Sequence, residues 1–128
     1  MLFYSFENQQ QRREEGGSAF IEFQFCHLFT KDVKEIVSVD SIKNWKDDSL
    51  YVKDENTFYR QYSHIFDCGT YNNMQQGTVD VYGINYYSPS DTDSIVSKIN
   101  RQKPQDYEIL LEWLEKAKNY NGFYILGI

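Results

Sequence analysis

The clearest alternation of apolar and polar residues lies early in the chain and predicts a β-strand. Ile21, Phe23 and Phe25 fall on one face, while Glu22 and Gln24 fall on the other. Alternation with a period of two is typical of a strand that buries one face and exposes the other. We therefore expect the two polar side chains to face solvent.

Shorter apolar runs predict further strands. Residues 2–6 and 50–52 are apolar and end at polar turns, as short strands do. Residues 78–87 form a longer strand pattern whose apolar phase changes at Gly83, so a β-bulge is predicted there. Residues 123–128 are apolar on both alternating sets, which is typical of a strand covered on both faces.

One segment fits both a helix and a strand. In residues 57–66, the side chains of Phe58, Tyr62, Ile65 and Phe66 share a helical face, yet Phe58, Tyr62 and Phe66 also share one face of a strand. The aromatic and β-branched content of the segment favours a strand.

Two helices are predicted near the C-terminus. Ser90 followed by Asp93 resembles a capping box and marks the start of the first. Pro104 opens the second, whose apolar residues recur at helical spacing until Asn121-Gly122 ends it as a left-handed cap.

The remaining segments are more polar. Thr30 can cap a short helix over residues 31–37, although residues 37–39 fit an extended chain equally well. Residues 7–17 predict an exposed loop with room for a helical turn, and residues 69–77 predict a hairpin connection or a long loop.

Together these elements predict one domain over residues 1–128 with an α+β fold. We expect a single, mostly antiparallel sheet of about five to six strands, packed by two C-terminal helices, with the last strand at the C-terminus. A chain of 128 residues can enclose one core without metal or disulfide support.

The charge and the N-terminus narrow the function classes. Nineteen acidic residues against thirteen basic ones give a net charge of −6, and no basic run suited to phosphate neutralisation occurs, which disfavours direct binding to nucleic acid. No signal-peptide pattern and no apolar run long enough to cross a bilayer is found. We therefore expect a cytoplasmic protein that does not enter a membrane.

Candidate chemistry is sparse. Cys26 and His27 are adjacent, so on a strand they point to opposite faces and cannot share a proton. A pairing of Cys26 with His64, or of Cys68 with His27, stays open, but the spacing of these four residues matches no zinc site. The thiols are expected to be free. No metal, no cofactor and no catalytic residue is predicted, since the glycines form no phosphate-binding loop and the paired carboxylates lie in solvated loops.

Tyrosine supplies the positive hypothesis. Eleven tyrosines are more than a domain of this size buries with every hydroxyl hydrogen-bonded, so we expect several at the surface. Exposed tyrosine is enriched at protein interfaces, because its large ring loses little rotamer entropy on binding. Tyrosine beside loop carboxylates suits a cationic protein partner.

The overall character of the chain then suggests a family. In size, acidity, tyrosine content, lack of a catalytic motif and the ending Asn119-Tyr120-Asn121-Gly122-Phe123-Tyr124-Ile125-Leu126-Gly127, it resembles small acidic bacterial immunity proteins of toxin-immunity systems, such as those of contact-dependent growth inhibition. The resemblance implies an inhibitor that blocks a toxin nuclease, often by filling its basic substrate site with acidic groups. It carries over no site residue.

The sequence therefore predicts a protein that neutralises a basic toxin domain by non-catalytic complex formation. The alternatives are a phage-encoded or regulatory protein-binding module and a small enzyme. Loop and strand-edge positions provide the predicted partner-binding residues: Asp47, Asp48, Asp54, Glu55, Tyr71, Tyr86 and Tyr87.

Overall fold

The structure is a computed structural model that describes residues 1–16, 20–43 and 45–127, and these residues form seven strands and five α-helices. In chain order they are β1 (Phe3–Tyr4), α1 (Gln9–Gly16), β2 (Ile21–Phe25), α2 (Val33–Ile36), β3 (Leu50–Val52), α3 (Glu55–Tyr62), β4 (Gly69–Tyr71), β5 (Gln76–Gly77), β6 (Ile84–Tyr87), α4 (Pro89–Gln102), α5 (Tyr107–Ala117) and β7 (Phe123–Leu126). A 3₁₀ turn spans Val39–Ser41. Gly17 of the predicted loop and Ile128 of the predicted last strand lie outside the described residues.

The strands form an antiparallel sheet in the order β1-β3-β2-β7-β6-β4-β5. The predicted α+β class is confirmed, and the sheet has seven strands rather than five or six. The C-terminal strand β7 lies at its centre, where Phe23 pairs with Ile125 and Tyr86 pairs with Tyr124. All four residues of β7 are buried, which agrees with its two apolar sets.

Helices α3, α4 and α5 cover the first face of the sheet. The core there is rich in aromatic rings around Phe23, which makes edge contacts with Phe58, Phe66 and Trp113 at centroid distances of 5.7, 5.9 and 5.8 Å. Edge-to-face packing places the positive edge of one ring against the negative face of another. This core holds the three helices on the sheet.

The second face is covered by α1 and by residues 28–43 and 45–49. The side chains of Glu22 and Gln24 are 0% and 3% exposed, so the expectation that they face solvent is wrong. The Glu22 carboxylate accepts hydrogen bonds from Gln24 Nε2, Trp45 N and Ser49 Oγ. A buried charge needs such partners.

The segment of residues 7–17 contains the helix α1 instead of a loop. Its one buried side chain is Arg12, whose guanidinium lies 5.4 Å from the ring centre of Phe20 and 5.3 Å from that of Tyr51. These are cation–π contacts. An arginine in this position gives no apolar signal, so the pattern of hydrophobic residues missed the helix.

Residues 55–62 form a helix, and the prediction of a strand over residues 57–66 is wrong. Asp54 caps α3, because its carboxylate accepts from Thr57 N at 3.0 Å and from Thr57 Oγ1 at 2.6 Å. The helix then buries Phe58 and Tyr62 on one side. Aromatic content favoured a strand, but the cap and the helical spacing decided the conformation.

Only residues 84–87 of the predicted strand 78–87 belong to the sheet. The chain turns before them: Tyr82 N donates to Asp80 Oδ1 at 2.9 Å, and Asn85 Nδ2 donates to Asp80 O at 2.8 Å. The predicted bulge at Gly83 is therefore wrong, because the phase change there comes from a turn.

Several helix ends differ from the predicted ones. Ser88 and Asp91, not Ser90 and Asp93, form the capping box of α4. The cap of α2 is Asp32 instead of Thr30.

Helix α5 begins at Tyr107, a little after Pro104, and ends at Ala117, before Asn121-Gly122. Gly122 does have the left-handed conformation, with φ of +78°.

Residues 69–77, predicted as a hairpin connection or a long loop, instead contain a hairpin of their own, formed by β4 and β5. Among the described residues, no helix is both long enough and apolar enough to cross a membrane.

Candidate partner-binding surface

The residues considered for nucleophilic or metal chemistry are dispersed. Cys26 is fully buried, and its thiol lies 3.8 Å from Leu28 O and 3.5 Å from the Tyr124 hydroxyl. His27 is exposed and packs its ring edge against Tyr120. Both cysteines are free thiols.

Cys68 and His64 also lack the arrangement that nucleophilic or metal chemistry requires. His64 is exposed and hydrogen-bonds Gln102. Burial raises the pKa of the Cys68 thiol, which opposes formation of the reactive thiolate. Across residues 1–16, 20–43 and 45–127, no three His, Cys, Asp or Glu side chains gather as a metal site would require.

Two of the predicted contact tyrosines are in the core. Tyr86 is 4% exposed and donates its hydroxyl hydrogen bond to Asn121 O, while Tyr87 is 0% exposed. Neither side chain has the exposed strand-edge position that the sequence predicted, because β6 lies inside the sheet and both of its faces are covered. Tyr71 is half-buried, and its hydroxyl bonds Thr78 O across the β4–β5 hairpin.

Asp47 and Asp48 line an open groove with Glu112 and Lys116 of α5. The cavity volume is about 420 Å³. Trp113, which forms part of the groove, donates its indole N–H to Asp48 O at 2.8 Å and so fixes the turn before β3. The two predicted carboxylates therefore lie on one surface at the start of β3, where three acidic residues outnumber one lysine.

Asp54 and Glu55 lie at the opposite end of β3, where α3 begins. Asp54 is exposed, and the hydrogen bonds from Thr57 hold the pKa of its carboxyl below the ordinary value. Glu55 Oε1 accepts a hydrogen bond of 3.2 Å from the Tyr82 hydroxyl. The four predicted carboxylates thus divide between two surfaces that the length of β3 separates.

We call the second surface the Tyr82 groove. Its cavity volume is about 310 Å³, and its lining residues are Phe20, Ile21, Val52, Lys53, Glu55, Val81 and Tyr82. Phe20, Ile21 and Val52 form an apolar floor that is itself 0–4% exposed. Glu55 and Tyr82 come from two different segments and form polar and aromatic walls above it.

Tyr82 is one of three aromatic residues, with Phe29 and Tyr59, that are exposed in the part of the chain that the structure describes. Tyr82 is 73% exposed. Two hydrogen bonds nevertheless fix the residue, because its backbone N–H donates to Asp80 Oδ1 and its side-chain hydroxyl donates to Glu55 Oε1. The hydrogen bond to Glu55, followed by the charge of that carboxylate, raises the pKa of the Tyr82 hydroxyl. Tyr82 stands out in the sequence only as one of many tyrosines, and no sequence signal marked Asp80.

Comparison with known proteins finds no match: no family model fits the chain, and no curated protein or solved structure is significantly similar to it.

Proposed function

We propose that this protein acts by binding a basic protein partner in a non-catalytic complex, and that the Tyr82 groove is the centre of the contact surface. The observation that carries the proposal is Tyr82 itself, an aromatic residue that is 73% exposed, with its backbone N–H bonded to the Asp80 carboxylate and its hydroxyl bonded to the Glu55 carboxylate. Contact sites of proteins are enriched in tyrosine, and a rim of complementary charge steers the partner.

The charges around the groove favour a cationic partner. Asp54, Glu55 and Asp80 lie at or beside it, whereas Lys53 is its basic lining residue. The net charge of −6 extends the same sign over the molecule and would accelerate association with a basic protein at low salt. The resemblance to immunity proteins identifies a toxin nuclease as the partner class to test first.

The first experiment is affinity capture with three immobilised proteins. They are the wild type, a groove variant with Asp54→Asn, Glu55→Gln, Asp80→Asn and Tyr82→Ala, and a control variant with Glu14→Gln, Glu15→Gln and Glu35→Gln. The two variants lose the same charge, but the control changes exposed positions on α1 and α2, which lie on the other face of the sheet.

We expect the wild type and the control to retain a basic protein at low salt that the groove variant does not retain. Purified partner should then bind with an association rate that falls as salt rises, because steering by exposed carboxylates is screened. If the partner is a toxin, one equivalent of this protein should abolish its activity. Retention of the same proteins by the groove variant would contradict the proposal.

A further inference from the structure

We infer that the Tyr82 groove receives the side chain of an arginine. The inference rests on the proposed function and names the group on the basic partner that the groove recognises. A guanidinium would stack on the ring of Tyr82 and pair with the Glu55 carboxylate, while its aliphatic stem lies against the partly exposed Val81 in the groove lining.

The position of the Tyr82 ring supports a cation as the ligand. Hydrogen bonds at the backbone N–H and at the hydroxyl hold the residue between Asp80 and Glu55. The face of an aromatic ring attracts cations through its quadrupole, and the two nearby carboxylates add negative potential. An anion in the same place would meet repulsion from each of these groups.

The size and the floor of the groove support a single long side chain. A cavity of about 310 Å³ is at the small end of the range for ligand pockets. Its floor is apolar, whereas its walls carry the carboxylate and the phenol. Lysine and arginine both have an apolar stem and a charged end that match this division.

The chemistry of the walls favours arginine over lysine. A guanidinium is planar and weakly hydrated, so it can stack on a ring and pair with a carboxylate at the same time. An ammonium is compact and strongly hydrated, and it loses more solvation energy against an apolar floor. The chain itself contains the ring part of such a contact, because the Arg12 guanidinium lies over Phe20 and Tyr51.

The charge of Lys53 provides a second way to test whether the groove binds arginine. Its side chain lines the groove, and its ammonium lies 6.0 Å from the ring centre of Tyr4. The positive charge of a residue that lines the groove opposes an incoming guanidinium. Lys53→Met keeps most of the stem and removes the charge, so it should strengthen arginine binding.

The test uses capped amino acids as probes and follows the backbone amide signals of the protein by NMR at constant low ionic strength. The probes are N-acetyl-arginine methylamide, the lysine analogue, and the citrulline analogue, which has the shape of arginine but no charge. We expect arginine to shift the amides of Glu55, Val81 and Tyr82 in a saturable manner, with lysine weaker and citrulline weakest.

Variants of the groove residues then test which side chains contact the arginine. Tyr82→Ala should weaken arginine binding about two- to five-fold, as expected for an exposed cation–π contact, and Tyr82→Phe should retain most of it. Glu55→Gln should weaken binding, and Lys53→Met should strengthen it. Equal shifts with citrulline, shifts that map to another surface, or unchanged binding to both Tyr82→Ala and Glu55→Gln would overturn the inference.

The two proposals fail in different ways. Capture of a partner that depends on the groove, without any preference of the groove for arginine, overturns this inference alone. Arginine binding in the groove without a captured partner supports the inference as chemistry and contradicts the proposed function.

Discussion

The carboxylate of Glu22 accepts a hydrogen bond of 3.0 Å from the backbone N–H of Trp45. This contact attaches the chain at Trp45 to the second face of the sheet. Ser49 donates to the same carboxylate at 2.8 Å, and Gln24 donates to it at 2.6 Å. A charged residue in the middle of β2 thus organises a layer that has no long helix of its own.

Glu22→Ala should therefore destabilise the protein by about 3 kcal/mol or more, since it leaves buried donors without an acceptor. Glu22→Gln should cost less, because the amide oxygen can still accept. Chemical denaturation monitored by tryptophan fluorescence measures both, and Glu15→Ala on the exposed side of α1 is the control. A cost equal to that of the control would mean that the layer is held by other contacts.

Tyr86 and Tyr87 are adjacent in β6 and should respond differently to loss of the hydroxyl. Tyr86→Phe removes a hydrogen bond to Asn121 O and should cost about 1 kcal/mol. In the part of the chain that the structure describes, the buried Tyr87 hydroxyl has no hydrogen-bond partner, so Tyr87→Phe should be neutral or slightly stabilising. Unfolding free energies from urea titrations compare the two; a larger loss for Tyr87→Phe would contradict the prediction.

Gly122 is required where the chain enters β7. Its φ is +78°, and a Cβ added there would lie 2.0 Å from the carbonyl oxygen of Tyr87. Gly122→Ala should lower the unfolding free energy by at least about 2 kcal/mol through backbone strain and the clash. Gly83→Ala is the matched control, because its Cβ would meet only the movable carboxylate of Asp80. Equal thermal midpoints for the two variants would exclude this role for Gly122.

Deletion of residues 123–128 should prevent folding. The deletion removes the central strand β7, which pairs with both β2 and β6 and has four buried residues. The two halves of the sheet would lose the backbone partner that joins them, and the core would be open to water. We expect no cooperative thermal transition by circular dichroism. A sharp transition in the truncated protein would show that the sheet closes without β7.

Stability should fall at alkaline pH because the core tyrosines resist ionisation. Burial raises the pKa of Tyr51, Tyr62, Tyr86, Tyr87 and Tyr124 above the ordinary value of 10.0. Below that pH both states keep their protons, and above it only the unfolded state releases them. Each group should thus lower stability by up to about 1.4 kcal/mol per pH unit above pH 10.

Urea titrations between about pH 9 and pH 11 would measure this loss, with phenolate absorbance as the second signal. Much of the phenolate signal should appear together with unfolding. Tyr59→Phe is the control, since its side chain is exposed and loss of an exposed hydroxyl should leave the pH dependence of stability unchanged. Full ionisation of the tyrosines in a protein that stays folded would contradict the prediction.

The sequence by itself determined those parts of the fold that depend on local patterns. The alternation in β2, the doubly apolar β7 and the apolar spacing of α5 are visible within a few residues, because each element has its own period. They are sufficient to predict the α+β class and an antiparallel sheet whose last strand lies at the C-terminus. The acidic surplus and the number of tyrosines are equally a property of the sequence, and they suggested a cationic protein partner.

Only the tertiary structure decided which side of each element is covered. Glu22 has the position of a solvent-facing residue in β2, but a segment more than twenty residues away covers it and supplies its hydrogen bonds. The spacing of Phe58, Tyr62 and Phe66 fits both periods, so the cap at Asp54 and the core above β2 selected the helix.

The same reason explains the candidate site. Tyr82, Tyr86 and Tyr87 are alike in sequence, yet a turn exposes the first, while strand pairing buries the other two. The contact between Tyr82 and Glu55 joins residues that are 27 positions apart. Burial and long-range pairing arise from the packing of the whole chain, and no local period encodes them.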